Sequence, residues 1–323
     1  MDYINLGKTG LKVSRLVLGC MTFGSSTWAP WVLGAEESRP IIDKALDLGI
    51  NFFDLADVYS LGASETVVAG ALKSVPRHKL VLGTKLYNAM SDDPNDRGLS
   101  RKHVFDAVDA SLKRLGTDYI DLYQLHRFDY DTPLEETLDA LNDVVRAGKV
   151  RYLGASSMHA WQFMKAIGIQ RANGWAPFVS MQNHYNLMYR EEEREMLPLC
   201  RSEGIGVIPW SPLARGRLAG RGGEATTRSQ TDKTANALYD ATRDQDEAVI
   251  AAVRTVAERH GRPMAQIAYA WVASRPGVTA PIVGISKLHQ FDDAIAALEV
   301  ELSDEDVALM EAPYRPKAVA GHV

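Results

Sequence analysis

The amino-acid sequence predicts an α/β fold in which eight parallel strands close into a barrel surrounded by helices. First, short apolar segments alternate with helical patterns eight times along the 323 residues, and parallel strands need such crossover helices. Second, the apolar segments are apolar almost throughout, as in strands buried on both faces. Third, no G-x-G-x-x-G turn of a doubly wound sheet follows an early strand. We therefore predict a (β/α)8 TIM barrel that forms a single domain over residues 1–323.

The chain begins with a predicted hairpin, because Gly7 and Gly10 bracket the short link between two apolar segments. The barrel strands are then expected at Arg15–Gly19, Asn51–Asp54, Leu80–Thr84, Tyr119–Leu125, Val150–Ala155, Phe178–Gln182, Val207–Pro209 and Ala280–Val283.

Helices are predicted where apolar residues recur at helical spacing, as Ile41, Ile42, Ala45 and Leu48 do. The predicted helices are Glu37–Leu48, Ser64–Leu72, Ser100–Leu115, Pro133–Ala147, Ala160–Ala172, Arg190–Glu203, Gln245–His260, Met264–Ser274, Lys287–Ala297 and Ser303–Met310. The helices at the end of this series, closing with Ser303–Met310, are predicted as additions to the barrel near the C-terminus. The acidic start of the Arg190–Glu203 helix is expected to be solvated, and a long connection is expected from Trp210 to about Asp244.

Composition excludes several classes of protein. The net charge of −5 argues against a nucleic-acid partner, which would require a basic surface. The two cysteines lie far apart with no metal-ligand spacing, so we predict neither a disulfide framework nor a metal site. From the amino-terminal residues and the lengths of the apolar segments we expect neither a signal peptide nor a membrane-spanning segment. We expect a cytoplasmic protein of undetermined oligomeric state.

Chemically active residues end three successive strands. Asp54 ends the second strand, Lys85 the third and His126 the fourth, while Tyr59 lies on the loop after Asp54. In TIM barrels the carboxyl ends of strands form the active site. A lysine beside Tyr59 would lower the pKa of the phenol, and neutral His126 could donate a hydrogen bond to a carbonyl oxygen.

These four residues can polarise and protonate a carbonyl but contain no hydride source, so a cofactor is expected. The loops after strands seven and eight are common phosphate sites in barrels, and here they are residues 211–218 and 284–287. Ser156, Ser157 and Gln182 could hydrogen-bond an amide, and Trp210 offers a flat surface for a nicotinamide ring.

The chain resembles the aldo-keto reductases along essentially its whole length. The matching stretches, in order, are Leu6–Ser14, Phe53–Tyr59, Thr84–Lys85, Leu125–Arg127, Gly148–Ser156, Pro209–Leu213 and Pro281–Gly284. The branch most similar is the bacterial aryl-alcohol-dehydrogenase-like and potassium-channel-β-subunit-like one, on the residues His126–Asp129 and Ser211–Ala214.

The resemblance implies an NADP-dependent oxidoreductase that reduces aldehydes or ketones to alcohols, with aromatic aldehydes suggested by Trp28 and Trp31. It implies the catalytic tetrad Asp54, Tyr59, Lys85 and His126, with Tyr59 as the proton donor to a small carbonyl substrate. The residues it implies for binding NADPH/NADP+ are Thr22, Asp54, Ser156, Ser157, Gln182, Trp210, Ser211, Pro212, Leu213, Arg215, Gly216, Arg217, Gly284, Ser286, Lys287, Gln290 and Asp293.

The sequence departs from the family pattern at several cofactor positions. Ser157 stands where many members have Asn, and Gln290 stands where they have an arginine for the 2′-phosphate. Ser286 and Lys287 are the alternative phosphate ligands.

Two other functions remain open. One, which the potassium-channel-β-subunit resemblance allows, is an NADPH-binding redox sensor with little turnover. The other is a lyase that uses Lys85 as a Schiff base. The aromatic side chains Trp28, Trp31, Tyr87 and Tyr185 either line a substrate pocket or serve only packing.

Overall fold

The computed structural model of the chain describes residues 1–220 and 227–322. Eight parallel strands lie side by side in one sheet in the order β10-β3-β4-β5-β6-β7-β8-β9. The sheet closes because Thr279 N donates to Val207 O at 2.8 Å and Ile282 N donates to Pro209 O at 2.9 Å. The predicted (β/α)8 barrel is confirmed.

The strands and helices occur in the predicted alternation. The strands are β1 Tyr3–Asn5, β2 Lys12–Ser14, β3 Val17–Gly19, β4 Phe52–Asp54, β5 Val81–Leu86, β6 Ile120–Leu125, β7 Val150–Ser156, β8 Phe178–Gln182, β9 Gly206–Val207 and β10 Ile282–Gly284. The α-helices are α1 Ala35–Asp47, α2 Ala63–Leu72, α3 Arg101–Leu115, α4 Leu134–Arg146, α5 Ala160–Asn173, α6 Met196–Glu203, α7 Thr227–Thr231, α8 Lys233–Tyr239, α9 Arg243–His260, α10 Met264–Ser274, α11 Gln290–Ala296 and α12 Asp304–Glu311. Within the described ranges, no helix is both long and apolar enough to cross a membrane.

The barrel strands are buried on both faces, which explains their continuous apolar sequences. Successive side chains of a strand point to opposite faces. In β4, Phe52 therefore belongs to the cluster inside the barrel, and Phe53 belongs to the larger cluster between strands and helices. In β6, Leu122 points inward and Tyr123 outward in the same way.

The predicted N-terminal hairpin closes the amino-terminal end of the barrel. Strands β1 and β2 pair antiparallel, and Leu6 and Val13 are buried in the interior cluster beside Val17 and Phe52. Ser14 N donates to Asn51 Oδ1 at 2.8 Å, which ties the hairpin to the start of β4. Because this end is filled by side chains, the opposite, carboxyl end is the open one.

Several predictions about elements were wrong. Residues 190–203 are not one helix: Glu191–Glu193 form a 3-10 turn and α6 begins at Met196. The acidic start is also not solvated, because Glu191 and Glu192 are only 8% and 4% exposed and contact the C-terminal tail through Tyr314 and His322.

The long connection expected from Trp210 to Asp244 is largely helical. It contains α7, α8 and the start of α9, with 3-10 turns at Ala214–Ala219 and Asp240–Thr242. Residues 221–226 of this predicted connection lie outside the described residues. The helix predicted from Lys287 begins instead at Gln290.

Candidate active site

The candidate catalytic residues meet at the carboxyl end of the barrel interior because of strand periodicity. Side chains two residues apart share one face of a strand, so Asp54 follows Phe52 into the interior and His126 follows Leu122 and Gln124. Lys85 lies within β5, which extends one residue beyond it rather than ending at Thr84 as predicted. A side chain at Gly83 would meet the ring of Phe52 at 2.9 Å, so glycine there leaves room for this layer.

Lys85 is the centre of the site. Its Nζ donates to Asp54 Oδ2 at 2.8 Å and to the carbonyl oxygen of Leu55 at 2.6 Å. It also lies 3.3 Å from the hydroxyl oxygen of Tyr59. The side chains of Lys85 and Asp54 are 0% and 3% exposed. The cation and the carboxylate therefore form a buried pair, and the half-buried phenol of Tyr59 lies against it.

Burial and charge act in opposite directions on the two proton-holding groups. Burial raises the pKa of Tyr59 above its ordinary value, and the charge of Lys85 opposes this shift without reversing it. The expectation that Lys85 lowers the pKa of Tyr59 is thus correct for the charge alone but not for the net shift. Burial is the largest single influence on the pKa of Lys85 and lowers it, but the charges of Asp54 and Tyr59 and the hydrogen bonds to both together outweigh burial, and the net shift is upward. Both groups hold their protons at neutral pH.

His126 is held as a neutral imidazole. Burial lowers its pKa well below the ordinary value, and the positive charges of Arg127 and Lys85 lower it further. Asn88 Nδ2 lies 3.1 Å from His126 Nδ1. Because an amide nitrogen only donates, Nδ1 is the acceptor and the ring proton lies on Nε2. The rings of His126 and Tyr59 are 5.9 Å apart, edge to face.

Two glutamines orient the carboxylate of Asp54. Gln182 Nε2 donates to Asp54 Oδ1 at 2.8 Å, and Gln124 Nε2 donates to the same oxygen at 3.2 Å. Gln182 also contacts Gln124 Oε1 at 3.3 Å. Gln182, expected as an amide ligand of the cofactor, therefore contacts Asp54 of the candidate catalytic cluster directly.

Hydrogen bonds hold the two serines at the end of β7 and the tryptophan that follows β9. Ser156 Oγ donates to the carbonyl oxygen of Gln182 at 2.9 Å, and Trp210 Nε1 donates to Ser157 Oγ at 3.1 Å. One face of Trp210 is stacked on His184, with ring centroids 4.2 Å apart. These contacts fix the plane of the Trp210 ring at the barrel mouth.

The loop after β9 has an unusual backbone. Ser211, Ala214 and Arg215 all have φ between 48° and 56°, and Gly216 has φ of 97°. Non-glycine residues seldom adopt this region, and such outliers cluster at ligand sites. Arg215 Nη1 pairs with Asp232 of the α7–α8 connection at 2.6 Å, while its Nε is buried without a partner among the described residues.

The rest of the predicted loop lies beside these residues. Pro212 is buried, Leu213 is half-buried and Gly216 is exposed. Arg217 Nη2 pairs with Asp240 at 2.5 Å. Thr22 is buried in the turn that follows β3.

The segment after β10 is organised by Gln290. Its Oε1 accepts from the backbone N–H groups of Ser286 at 2.8 Å and Lys287 at 3.0 Å. These two residues thus precede α11 rather than open it. Gly284 is the exposed last residue of β10, and Asp293 Oδ1 accepts from Gln266 at 3.0 Å.

The aromatic residues considered for a substrate pocket lie in two places, the loop after β3 and the hydrophobic core. Trp28 and Trp31 contact each other edge to face at 5.9 Å, and Arg228 lies over the Trp31 ring at 4.5 Å. Tyr185 is 1% exposed and packs on Trp271, so for Tyr185 the packing alternative is correct.

Three residues of this region were not predicted from the sequence. Gln124 could have been predicted from the sequence, because it is a polar residue two positions before His126 in a mostly apolar strand. Asn88 and Asp232 carry none, because each lies in a polar stretch where neighbouring residues are equally suited to hydrogen bonding.

Comparison with known proteins agrees with this geometry. A sequence profile described as the Aldo/keto reductase family matches residues 15–315. The chain belongs to the aldo/keto reductase family. Its similarity to named members extends over nearly the whole length of both chains. It is 46% identical to the versiconal hemiacetal acetate reductase of Aspergillus parasiticus, over 99% of this chain and 98% of that protein.

Other relatives of the same family are also fungal. The chain is 45% identical to the aldo-keto reductase dtxS3 of Metarhizium robertsii, over 100% of this chain and 93% of that protein. It is 43% identical to a putative aryl-alcohol dehydrogenase of Schizosaccharomyces pombe, over 98% of this chain and 97% of that protein. Membership of this family makes the chain an oxidoreductase of carbonyl compounds, in a family that uses NAD(P)H.

Proposed function

We propose that this aldo/keto reductase reduces aldehydes and ketones to alcohols with NADPH, and that Tyr59 donates the proton. The observation that carries the proposal is the position of Lys85 Nζ, which contacts both Asp54 and the Tyr59 hydroxyl in one buried site. Neutral His126 stands beside this cluster with its proton on the nitrogen that Asn88 leaves free.

Each residue of the cluster has a distinct part in the proposed reaction. His126 Nε2–H donates a hydrogen bond to the carbonyl oxygen and orients it toward Tyr59. The Tyr59 hydroxyl transfers its proton to that oxygen as negative charge develops there. The Lys85 ammonium stabilises the phenolate that remains. Asp54, held by Gln124 and Gln182, keeps Lys85 charged and in place.

The residues of the barrel mouth fit a dinucleotide. The 211–216 loop holds several residues in the left-handed region, a conformation that clusters at ligand sites. Arg215 also retains a buried guanidinium nitrogen without a partner among the described residues. Ser286, Lys287 and Gln290 would hold the adenosine phosphate, and Trp210 with Ser156 and Ser157 would hold the nicotinamide. The reduced nicotinamide supplies the hydride.

Aromatic aldehydes are the proposed substrate class. Trp28 and Trp31 lie in the loop after β3, and one relative is named as an aryl-alcohol dehydrogenase. Both cysteines are free and buried, which is compatible with the cytoplasmic location that we propose. One continuous eight-stranded sheet supports the proposal of a single domain over residues 1–323.

The Schiff-base lyase is disfavoured by the surroundings of Lys85. A Schiff base requires a neutral amine, but Asp54 lies 2.8 Å from Nζ and the net pKa of Lys85 is raised. We therefore do not propose this activity.

The proposal is tested by following NADPH oxidation with a panel of aromatic, aliphatic and sugar aldehydes, with NADH in parallel. In Tyr59→Phe we expect kcat to fall by about 100-fold or more, with NADPH affinity retained. Tyr3→Phe is the matched control, because the Tyr3 hydroxyl binds the carbonyl oxygen of Gly49 at the opposite end of the barrel. Full turnover by Tyr59→Phe would refute the assignment. Tight NADPH binding without turnover of any aldehyde would favour the redox sensor.

A further inference from the structure

Arg127 directly follows His126 at the carboxyl end of β6, yet it has no part in the proposed proton transfer. The residue is half-buried, and its Nη1 donates to the backbone carbonyl oxygen of His126 at 2.6 Å. The guanidinium is close enough to Tyr59 and Tyr87 for their charges to act on it.

No carboxylate neutralises Arg127 within the described parts of the chain, where its one hydrogen bond is to the His126 carbonyl. Asp129, two residues further on, is occupied by other donors. Its Oδ2 accepts from the backbone N–H of Leu99 at 2.7 Å and from Thr132 Oγ1 at 2.8 Å. By contrast, Arg215 is paired with a carboxylate. A partly buried charge without a counter-ion is costly and suggests a binding role.

The charge of Arg127 shifts the pKa values of candidate catalytic residues. It helps to lower the pKa of His126, after burial, and it acts on the hydroxyls of Tyr59 and Tyr87. Tyr87 has φ of 144°, a backbone conformation that non-glycine residues rarely adopt, and it is the residue directly before Asn88. Arg127 thus lies on the side of the mouth formed by the ends of β5 and β6.

In the sheet, β6 is separated by β7 and β8 from β9, which precedes one of the proposed phosphate loops. Arg215 of that loop is still close enough for its charge, after burial, to lower the pKa of Arg127, but Arg215 is already paired with Asp232. Arg127 directly follows His126, and its charge interacts with Tyr59. An anion bound at Arg127 would therefore lie beside the reacting carbonyl, so we assign it to the substrate.

We propose that Arg127 is a specificity residue that binds a carboxylate on the carbonyl substrate, so that the preferred substrates are aldehydes carrying an acidic group. This inference rests on the proposed reductase function and deepens it. A guanidinium can form two parallel hydrogen bonds to a carboxylate, and such charge-assisted pairs are about twice as strong as neutral ones. The neutral Asn88–His126 pair and the proton donor Tyr59 would then act on a carbonyl whose position is set by the bound acid.

The test compares 2-, 3- and 4-carboxybenzaldehyde with their methyl esters, which differ in charge but keep the aromatic aldehyde. For the best isomer we expect Arg127→Gln to lower kcat/KM by about 10- to 100-fold, from the size of a charged hydrogen bond. The kcat/KM of the matching ester should stay nearly unchanged. Arg127→Lys should recover part of the loss, because it keeps the charge but not the paired geometry. Arg39→Gln, which removes an exposed arginine paired with Asp43 on α1, is the control.

The ratio of acid to ester turnover separates this role from a structural one. Equal losses on acid and ester would overturn the proposal and show that Arg127 only supports His126. A fall in NADPH affinity without a change in the ratio would also overturn it and assign Arg127 to a cofactor phosphate. If the parent protein reduces no aldehyde, the proposed reductase function fails, and calorimetry with benzoate decides the inference separately. Binding to the parent that weakens in Arg127→Gln would support it, and equal or absent binding would overturn it.

Discussion

Replacement of Lys85 by methionine removes the cation that contacts both Asp54 and Tyr59 while keeping most of the side-chain volume. The variant leaves the Asp54 carboxylate in a barrel interior where it is 3% exposed. The two amide donors Gln124 and Gln182 remain beside it, but neither carries a compensating charge. Lys85→Met should therefore reduce both stability and turnover.

The size of the stability loss follows from the geometry. The 2.8 Å separation of Lys85 Nζ and Asp54 Oδ2 corresponds to an attraction of about 6 kcal/mol at an effective dielectric constant of about 20. Desolvation of both charges offsets part of this, and removing one partner of a buried pair costs about 3–5 kcal/mol. We expect the free energy of unfolding of Lys85→Met to fall by about 4 kcal/mol.

The assay is urea unfolding at pH 7 followed by far-UV circular dichroism, together with kcat for aldehyde reduction. The double variant Lys85→Met/Asp54→Asn should regain about 2 kcal/mol or more, because the unpaired carboxylate is gone. Its kcat should remain about 100-fold or more below the parent value, because the phenolate of Tyr59 is still unsupported. Lys102→Met removes an exposed pair with Asp106 and should change stability far less than Lys85→Met, because exposed ion pairs contribute little.

Two results would contradict this reasoning. A stability loss in Lys85→Met no larger than in Lys102→Met would mean that the Asp54 carboxylate is solvated or otherwise neutralised. Recovery of turnover together with stability in the double variant would mean that Lys85 is needed only for folding.

Asn88→Ala should lower kcat about tenfold, the equivalent of one hydrogen bond, because His126 loses the donor that places its proton on Nε2. NADPH affinity, measured by fluorescence titration, should not change, and an unaltered kcat would show that Asn88 does not control the tautomer. Burial, aided by the charge of Glu65, raises the pKa of Asp57 to about 8. Because this folded-state pKa exceeds the unfolded value of about 3.9, Asp57 should make stability fall as pH rises between about 4 and 8. Urea unfolding at pH 5 and pH 9 should show a smaller fall in Asp57→Asn, and an identical fall in both proteins would rule out Asp57 as the cause.

The barrel and the candidate tetrad were predictable because both depend on local patterns. Continuous apolar strands separated by amphipathic helices already determine a parallel sheet. The carboxyl ends of such strands meet, so Asp54 and His126 could be placed together although 72 positions separate them in the numbering. The alternation of side chains along β6 also places Gln124 on the same face as His126.

Contacts between distant segments were not predictable in this way. Gln182 reaches Asp54 across 128 positions, and Asn88 reaches His126 across 38. The start of α6 was predicted wrongly because acidic residues are common at exposed helix starts, and that preference considers only the neighbouring sequence. The burial of Glu191 and Glu192 depends instead on Tyr314 and His322, more than 120 positions away.

The sequence by itself determined which groups meet at the barrel mouth: an acid, a phenol, a lysine and an imidazole. Only the tertiary structure decided their protonation. Lys85 favours the phenolate of Tyr59 at short range, but desolvation raises the pKa of Tyr59 by more. Desolvation is a property of everything packed around a group. It therefore depends on strands and loops that the local sequence around Tyr59 does not specify.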